Sequence, residues 1–140
     1  MANAAVINER IKRRATVTTF NDVFGSGDFD CSDNALTSLE YGPTEIDGFY
    51  NCSNNKLRSL EGAPQIVEAD FICSGNELSA LLGAPKNVSD NFDCSNNQLE
   101  SLDGAPEGVG MDFNCAGNKK KFTKKEVQAV CKVGGKIILS

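Results

Sequence analysis

The sequence has no histidine and no tryptophan among its 140 residues, and only four prolines. Without histidine, Ser-His-Asp and Cys-His catalytic arrangements are excluded, as is every histidine-containing zinc site. No apolar run approaches the ~20 residues needed to cross a bilayer. The segment from Met1 to Arg10 lacks the ordered basic, apolar and small-residue regions of a signal peptide, so a soluble, cytoplasmic chain is expected. There is no Walker-type phosphate loop, no EF-hand loop and no glycine-aspartate calcium repeat. Nor do the six cysteines pair as C-x-x-C; neighbours lie 21 or 16 residues apart, which disfavours tetrahedral zinc. No metal and no cofactor is expected.

What is present is enough to build a core. Hydrophobic residues make up 40% of the chain, too many for a disordered polymer. The formal net charge is −5, unevenly spread. Residues 1–24 carry Arg10, Lys12, Arg13 and Arg14 against Glu9 and Asp22. Residues 25–118 carry Lys56, Arg58 and Lys86 against sixteen acidic side chains, and residues 119–140 carry seven lysines against Glu126. An acidic middle between basic ends fits either a partner with a basic surface or a merely solvated exterior.

The dominant signal is a repeat. Cys31, Cys52, Cys73, Cys94 and Cys115 are spaced by 21 residues. Two residues before each stands an aromatic: Phe29, Tyr50, Phe71, Phe92 and Phe113. Three residues after each stands an asparagine: Asn34, Asn55, Asn76, Asn97 and Asn118. Leu36, Leu57, Leu78 and Leu99 follow, then Leu39, Leu60, Leu81 and Leu102. Prolines recur at Pro43, Pro64, Pro85 and Pro106, and aliphatics at Ile46, Val67, Val88 and Val109. A unit this short cannot bury its apolar face alone, so the copies must stack on one another.

This rung resembles the leucine-rich repeat, with the aromatic and the cysteine in two strand positions usually held by leucine. The resemblance covers residues 29–118. The wording Cys-Ser-Asn-Asn-Lys-Leu-Arg-Ser-Leu-Glu-Gly-Ala-Pro at 52–64 is similar to the short leucine-rich repeat proteins of large tailed bacteriophages. The resemblance implies a phage or prophage origin and no defined activity. The expected fold is therefore an α+β solenoid, a leucine-rich repeat of about five 21-residue rungs forming a parallel sheet. One domain spans 1–140, with an N-terminal cap at 1–24, repeats at 25–118 and a C-terminal cap at 119–140.

Stacking assigns a role to each position. Strand residues alternate inward and outward, rungs lie about 4.8 Å apart, and asparagine turns the chain while bonding backbone groups. Gly-Ala-Pro closes a tight turn. At the C-terminus, Thr123 with Glu126 forms a capping box, with a hydrophobic staple of Phe122 on Val127. The helix that follows is expected to end at Gly134-Gly135, and Lys136–Leu139 to form a last strand. At the N-terminus, a helix with Val6, Ile7 and Ile11 inward is expected, then a degenerate rung over 17–24.

The five ladder cysteines read as buried packing thiols in a reducing compartment. Cys131, among lysines, is the one candidate nucleophile, weakened by the absence of a histidine base. The resemblance implies that residues flanking the inward pair line a concave face. These candidate binding residues form two columns. One is Asp28, Phe49, Asp70, Asn91 and Asp112; the other is Asp30, Asn51, Ile72, Asp93 and Asn114. Beside them runs Ser32, Ser53, Ser74, Ser95 and Ala116. Phe49 and Ile72 interrupt a polar surface on adjacent rungs, which reads either as a hot spot or as stray surface hydrophobes.

Three functions follow. The first is a non-enzymatic protein-binding module, a monomer whose acidic sheet face engages a basic partner surface. The phage resemblance sharpens this to an inhibitor or adaptor acting on a bacterial protein, such as a defence or nucleic-acid-handling one, in the cytoplasm of the infected host. The second is a self-assembling structural component, disfavoured by capped ends. The third, a cysteine-based enzyme, is weakest. Direct nucleic-acid binding by the basic ends is disfavoured by the acidic solenoid between them.

Overall fold

The structure is a computed structural model that describes residues 27–140. The expected N-terminal cap at 1–24, with its helix and degenerate rung, lies outside the described residues.

Five aromatic-x-Cys triplets start five strands: β1 (Phe29–Asp30), β2 (Tyr50–Asn51), β4 (Phe71–Ile72), β6 (Phe92–Asp93) and β8 (Phe113–Asn114). A sixth, β10 (Ile137–Ile138), joins them in one parallel sheet of order β1-β2-β4-β6-β8-β10. The register is the repeat itself, since Phe71 pairs with Phe92 and Phe92 with Phe113. A second parallel sheet, of order β3-β5-β7-β9, runs along another side. It comprises β3 (Ile66–Val67), β5 (Asn87–Val88), β7 (Gly108–Val109) and β9 (Lys132–Val133), and Ile46 bridges to Val67. The molecule is a parallel β-solenoid of about five turns. Its one helix among the described residues is α1 (Lys124–Val130).

The second sheet is a difference from the sequence expectation, which placed a single sheet. Its cause is the valine column after each proline. Val67, Val88 and Val109 are almost fully buried, and a buried β-branched residue in register with its copies favours ladder pairing. The same preference shortens the helix. α1 stops at Val130, not at Gly134-Gly135, because Cys131 is extended (φ −142°, ψ 136°) and Val133 pairs with Val109. The capping box forms as read: Glu126 N–H donates to Thr123 Oγ1 (3.1 Å) and Thr123 N–H to Glu126 Oε1 (3.0 Å).

Inward columns make the core. The aromatic rings stack with centroids 5.0, 5.2, 5.8 and 5.2 Å apart along the axis. Cysteines and leucines fill the rest, and Phe122, Val127 and Cys131 are buried with them. The turn before each proline is closed by a bond such as Ala63 N–H to Leu60 O (3.1 Å). Its third residue is Gly62, at φ 100°, and a side chain there would lie 2.6 Å from Leu39 O of the rung below. Tyr41 holds the corresponding place at φ 69°, the left-handed conformation that a bulky residue rarely adopts.

Asparagine holds the interior edge together. Asn97 Nδ2 donates to Cys94 O (3.1 Å) and Ser95 O (3.2 Å) on its own rung and to Cys73 O (3.0 Å) on the rung before. Its Oδ1 accepts from Asn76 N–H (3.1 Å) and Leu78 N–H (3.2 Å). One side chain thus brackets two rungs, and without it Asn76 N–H and Leu78 N–H would be buried unpaired.

Tyr50 is an exception within the aromatic column. It is fully buried, and its hydroxyl has no hydrogen-bond partner among the described residues. Phenylalanine stands at the matching position of every other described rung. Tyr50→Phe is therefore expected to stabilise the fold by about 1 kcal/mol, since it removes an unsatisfied buried polar group. Chemical denaturation of the two proteins measures this directly.

Candidate interaction surface

The outward face of the six-stranded sheet holds both columns of candidate residues, and most of their side chains are committed to the fold. In the first column each oxygen serves the next rung. Asp28 Oδ1 accepts from Phe49 N–H (2.9 Å), Asp70 Oδ1 from Asn91 N–H (2.9 Å), and Asn91 Oδ1 from Asp112 N–H (2.9 Å). Asp112 Oδ1 closes the series on Lys136 N–H (2.8 Å). In the second column each oxygen serves its own rung. Asp30, Asn51 and Asp93 each accept from the serine two residues on, through its N–H at 3.0 Å and its hydroxyl at 2.6 Å. Asn114 accepts from Ala116 N–H at 3.0 Å.

Charge follows the same logic. Within neither column do two adjacent described rungs both carry a carboxylate. In-register stacking would place such groups about 5 Å apart, where repulsion reaches roughly 1 kcal/mol even in water. Asparagine supplies the same acceptor without the charge. The columns are acid–amide ladders shaped by stacking, and the face is less acidic than composition alone suggested.

Phe49 and Ile72 break both ladders. Phe49 has no oxygen to offer Asp70 N–H. Ile72 has none for Ser74, whose N–H and hydroxyl find no acceptor among the described residues, unlike those of Ser32, Ser53 and Ser95. Both side chains are half-buried. The two lie on a diagonal: Phe49 precedes Tyr50, which pairs with Phe71, and Ile72 follows Phe71. Their positions are about 8 Å apart. A parallel diagonal carries Asp70 and Asp93, neither of which has an ion pair among the described residues.

Sequence reasoning named the two apolar side chains and missed the donors they strand, Asp70 N–H and both donors of Ser74. The signal was readable as Asx-Cys-Ser at 30–32, 51–53 and 93–95, against Ile72-Cys73-Ser74. Other exposed hydrophobes were also missed. Tyr41, Ile66, Leu82 and Met111 are each about half exposed and lie outside the strands of this sheet. On the loop side, Arg58 pairs with Glu77 (3.4 Å) and Lys119 with Glu100 (2.8 Å), so these charges tie neighbouring rungs.

The thiols are free and buried. Three of them donate along the ladder: Cys52 to Ile72 O (3.4 Å), Cys73 to Asp93 O (3.3 Å) and Cys94 to Asn114 O (3.3 Å). Burial pushes Cys31 from 9.0 up to about 12, and Cys115 and Cys131 up to about 11. A thiol raised in this way is a poor nucleophile near neutral pH. It also makes the fold alkali-sensitive. Below pH 9 the stabilisation is fully present; above it the unfolded chain releases protons that the folded chain retains. For Cys31 each further pH unit toward 11 costs about 1.4 kcal/mol, and the two thiols raised to about 11 cost less. Denaturant midpoints are expected to fall steeply from pH 9 to 11, and less steeply in Cys31→Ala.

Among the described residues no helix is long and apolar enough to cross a membrane. Comparison of the chain with known protein families, with curated proteins and with solved structures finds no match in any of the three.

Proposed function

We propose that the chain is a non-enzymatic protein-binding module that docks through the outward face of its six-stranded sheet, centred on Phe49 and Ile72. The observation that carries this reading is the double break. At two neighbouring rungs the sequence gives up hydrogen bonds that the other rungs make, and sets apolar side chains in their place. Departures from an otherwise consistent local pattern concentrate where function overrides stability. Interface anchors are typically apolar or aromatic groups within a polar surround.

The finer identity rests on the sequence. The rung motif supports a leucine-rich repeat, and its resemblance to short phage proteins supports an inhibitor or adaptor acting on a bacterial protein in the infected cytoplasm. The acidic residues around the apolar pair favour a partner with a basic surface.

The test compares the native chain with Phe49→Asn and Ile72→Asn as baits in nuclease-treated bacterial lysate. A stoichiometric partner held by the native chain and lost by both variants is expected. Retention of the same partner by both variants would overturn the assignment of this face.

A further inference from the structure

Resting on that docking reading, we infer that the patch receives an arginine side chain from an extended segment of the partner. The four outward positions of Phe49, Asp70, Ile72 and Asp93 form a parallelogram across three rungs, with apolar groups on one diagonal and carboxylates on the parallel one. Asp70 and Asp93 each use Oδ1 within the fold, which leaves Oδ2 for a ligand. Spacing of about 5 Å along the columns sets each carboxylate beside an apolar neighbour, Asp70 beside Phe49 and Asp93 beside Ile72.

A guanidinium matches this arrangement on three counts. Its planar face stacks on an aromatic ring, its fork bridges carboxylate oxygens, and its aliphatic stem covers apolar surface. A lysine ammonium supplies charge but neither plane nor fork. The stranded donors add a second requirement. Ser74 N–H and hydroxyl lie beside Ile72, where the other rungs place an Asx oxygen. A neutral carbonyl from the partner backbone replaces that oxygen, whereas a carboxylate there would face Asp70 and Asp93. The occupant is thus an extended segment that turns an arginine side chain and a backbone carbonyl toward the patch.

The probes are three blocked tripeptides, acetyl-Leu-Arg-Leu-amide and its lysine and citrulline counterparts, titrated into the isotope-labelled full chain and followed by amide chemical shifts. Citrulline keeps the shape of arginine and removes its charge. The arginine probe is expected to shift the amides of Asn51, Asp70, Ile72, Ser74 and Asp93. It should bind at least fivefold more tightly than the lysine probe and weaken as salt is raised. Asp70→Asn with Asp93→Asn is expected to weaken the arginine probe at least tenfold. The fold should persist, because asparagine supplies the same acceptor at Asn51 and Asn91. Equal binding of arginine and lysine, or shifts elsewhere on the chain, would overturn the arginine assignment. If no probe binds while lysate capture still depends on Phe49 and Ile72, this inference fails and the docking reading stands. If capture is also independent of them, both fail.

Discussion

Asn97→Ala is expected to cost about 3–4 kcal/mol and to lower the thermal midpoint by roughly 10–15 °C. The loss is large because truncation removes both halves of a two-rung bracket. Asn76 N–H and Leu78 N–H lose their acceptor, while Cys73 O and Cys94 O each lose one of two amide donors, Asn76 and Asn118 supplying the other, all within a buried edge. Such groups cannot turn to water without opening the stack, so each retains much of its desolvation penalty. Against a total stability of about 5–15 kcal/mol, one side chain then carries roughly a fifth or more of the margin. Asn97→Asp discriminates the two halves. It keeps the acceptor, loses both donors and points a carboxylate at carbonyl oxygens, so it should be at least as damaging as alanine. Urea titrations of the three proteins check the order.

The second large effect is on binding. Replacing Phe49 and Ile72 together by asparagine is expected to weaken the partner complex at least 100-fold, or about 3 kcal/mol. Two contributions add. Apolar anchors are removed from the centre of the face, and the new amides satisfy Asp70 N–H and the Ser74 donors internally, so the partner no longer gains by bonding them. The reverse change at another rung separates anchor from scaffold. Asp93→Ile creates an apolar outward residue but removes the acceptor for Ser95. It should destabilise the fold by about 1–2 kcal/mol and should not create a new docking centre.

Much of this architecture was legible in the sequence because a solenoid converts spacing into register. Once Cys52 and Cys73 stand 21 residues apart with matching neighbours, their rungs must stack, and the identity of the inward columns follows. The asparagine ladder was readable for the same reason. Where the reading departed from the structure, the competing preferences were local and nearly balanced. The valines after each proline recur in the repeat with no strand expected at them, and in register Val67, Val88 and Val109 pair as a second sheet. Val127, Val130 and Cys131 have helical spacing, yet Cys131 turns extended because Lys132 and Val133 complete that sheet.

The face residues were harder. Position in a strand indicates which way Asp70 or Asn91 points, but not that its oxygen is spent on the next rung's backbone. The acidic columns therefore read as a ligand surface when most of them are scaffolding. What survives as distinctive is where the ladder stops, at Phe49 and Ile72. A single sequence shows such an interruption only after the bonds that define the rule are known.

Ile72 stands where structure alone would favour Asx. The most direct measurement is the thermal midpoint of Ile72→Asn beside the native chain. The new side chain gains two hydrogen bonds to Ser74, about 1–3 kcal/mol, and gives up roughly 1 kcal/mol of partial apolar burial. A midpoint that rises by about 2–4 °C is the predicted result. A midpoint that falls would mean that Ile72 is held there by packing, and that the break in the ladder is part of the fold, not of its function.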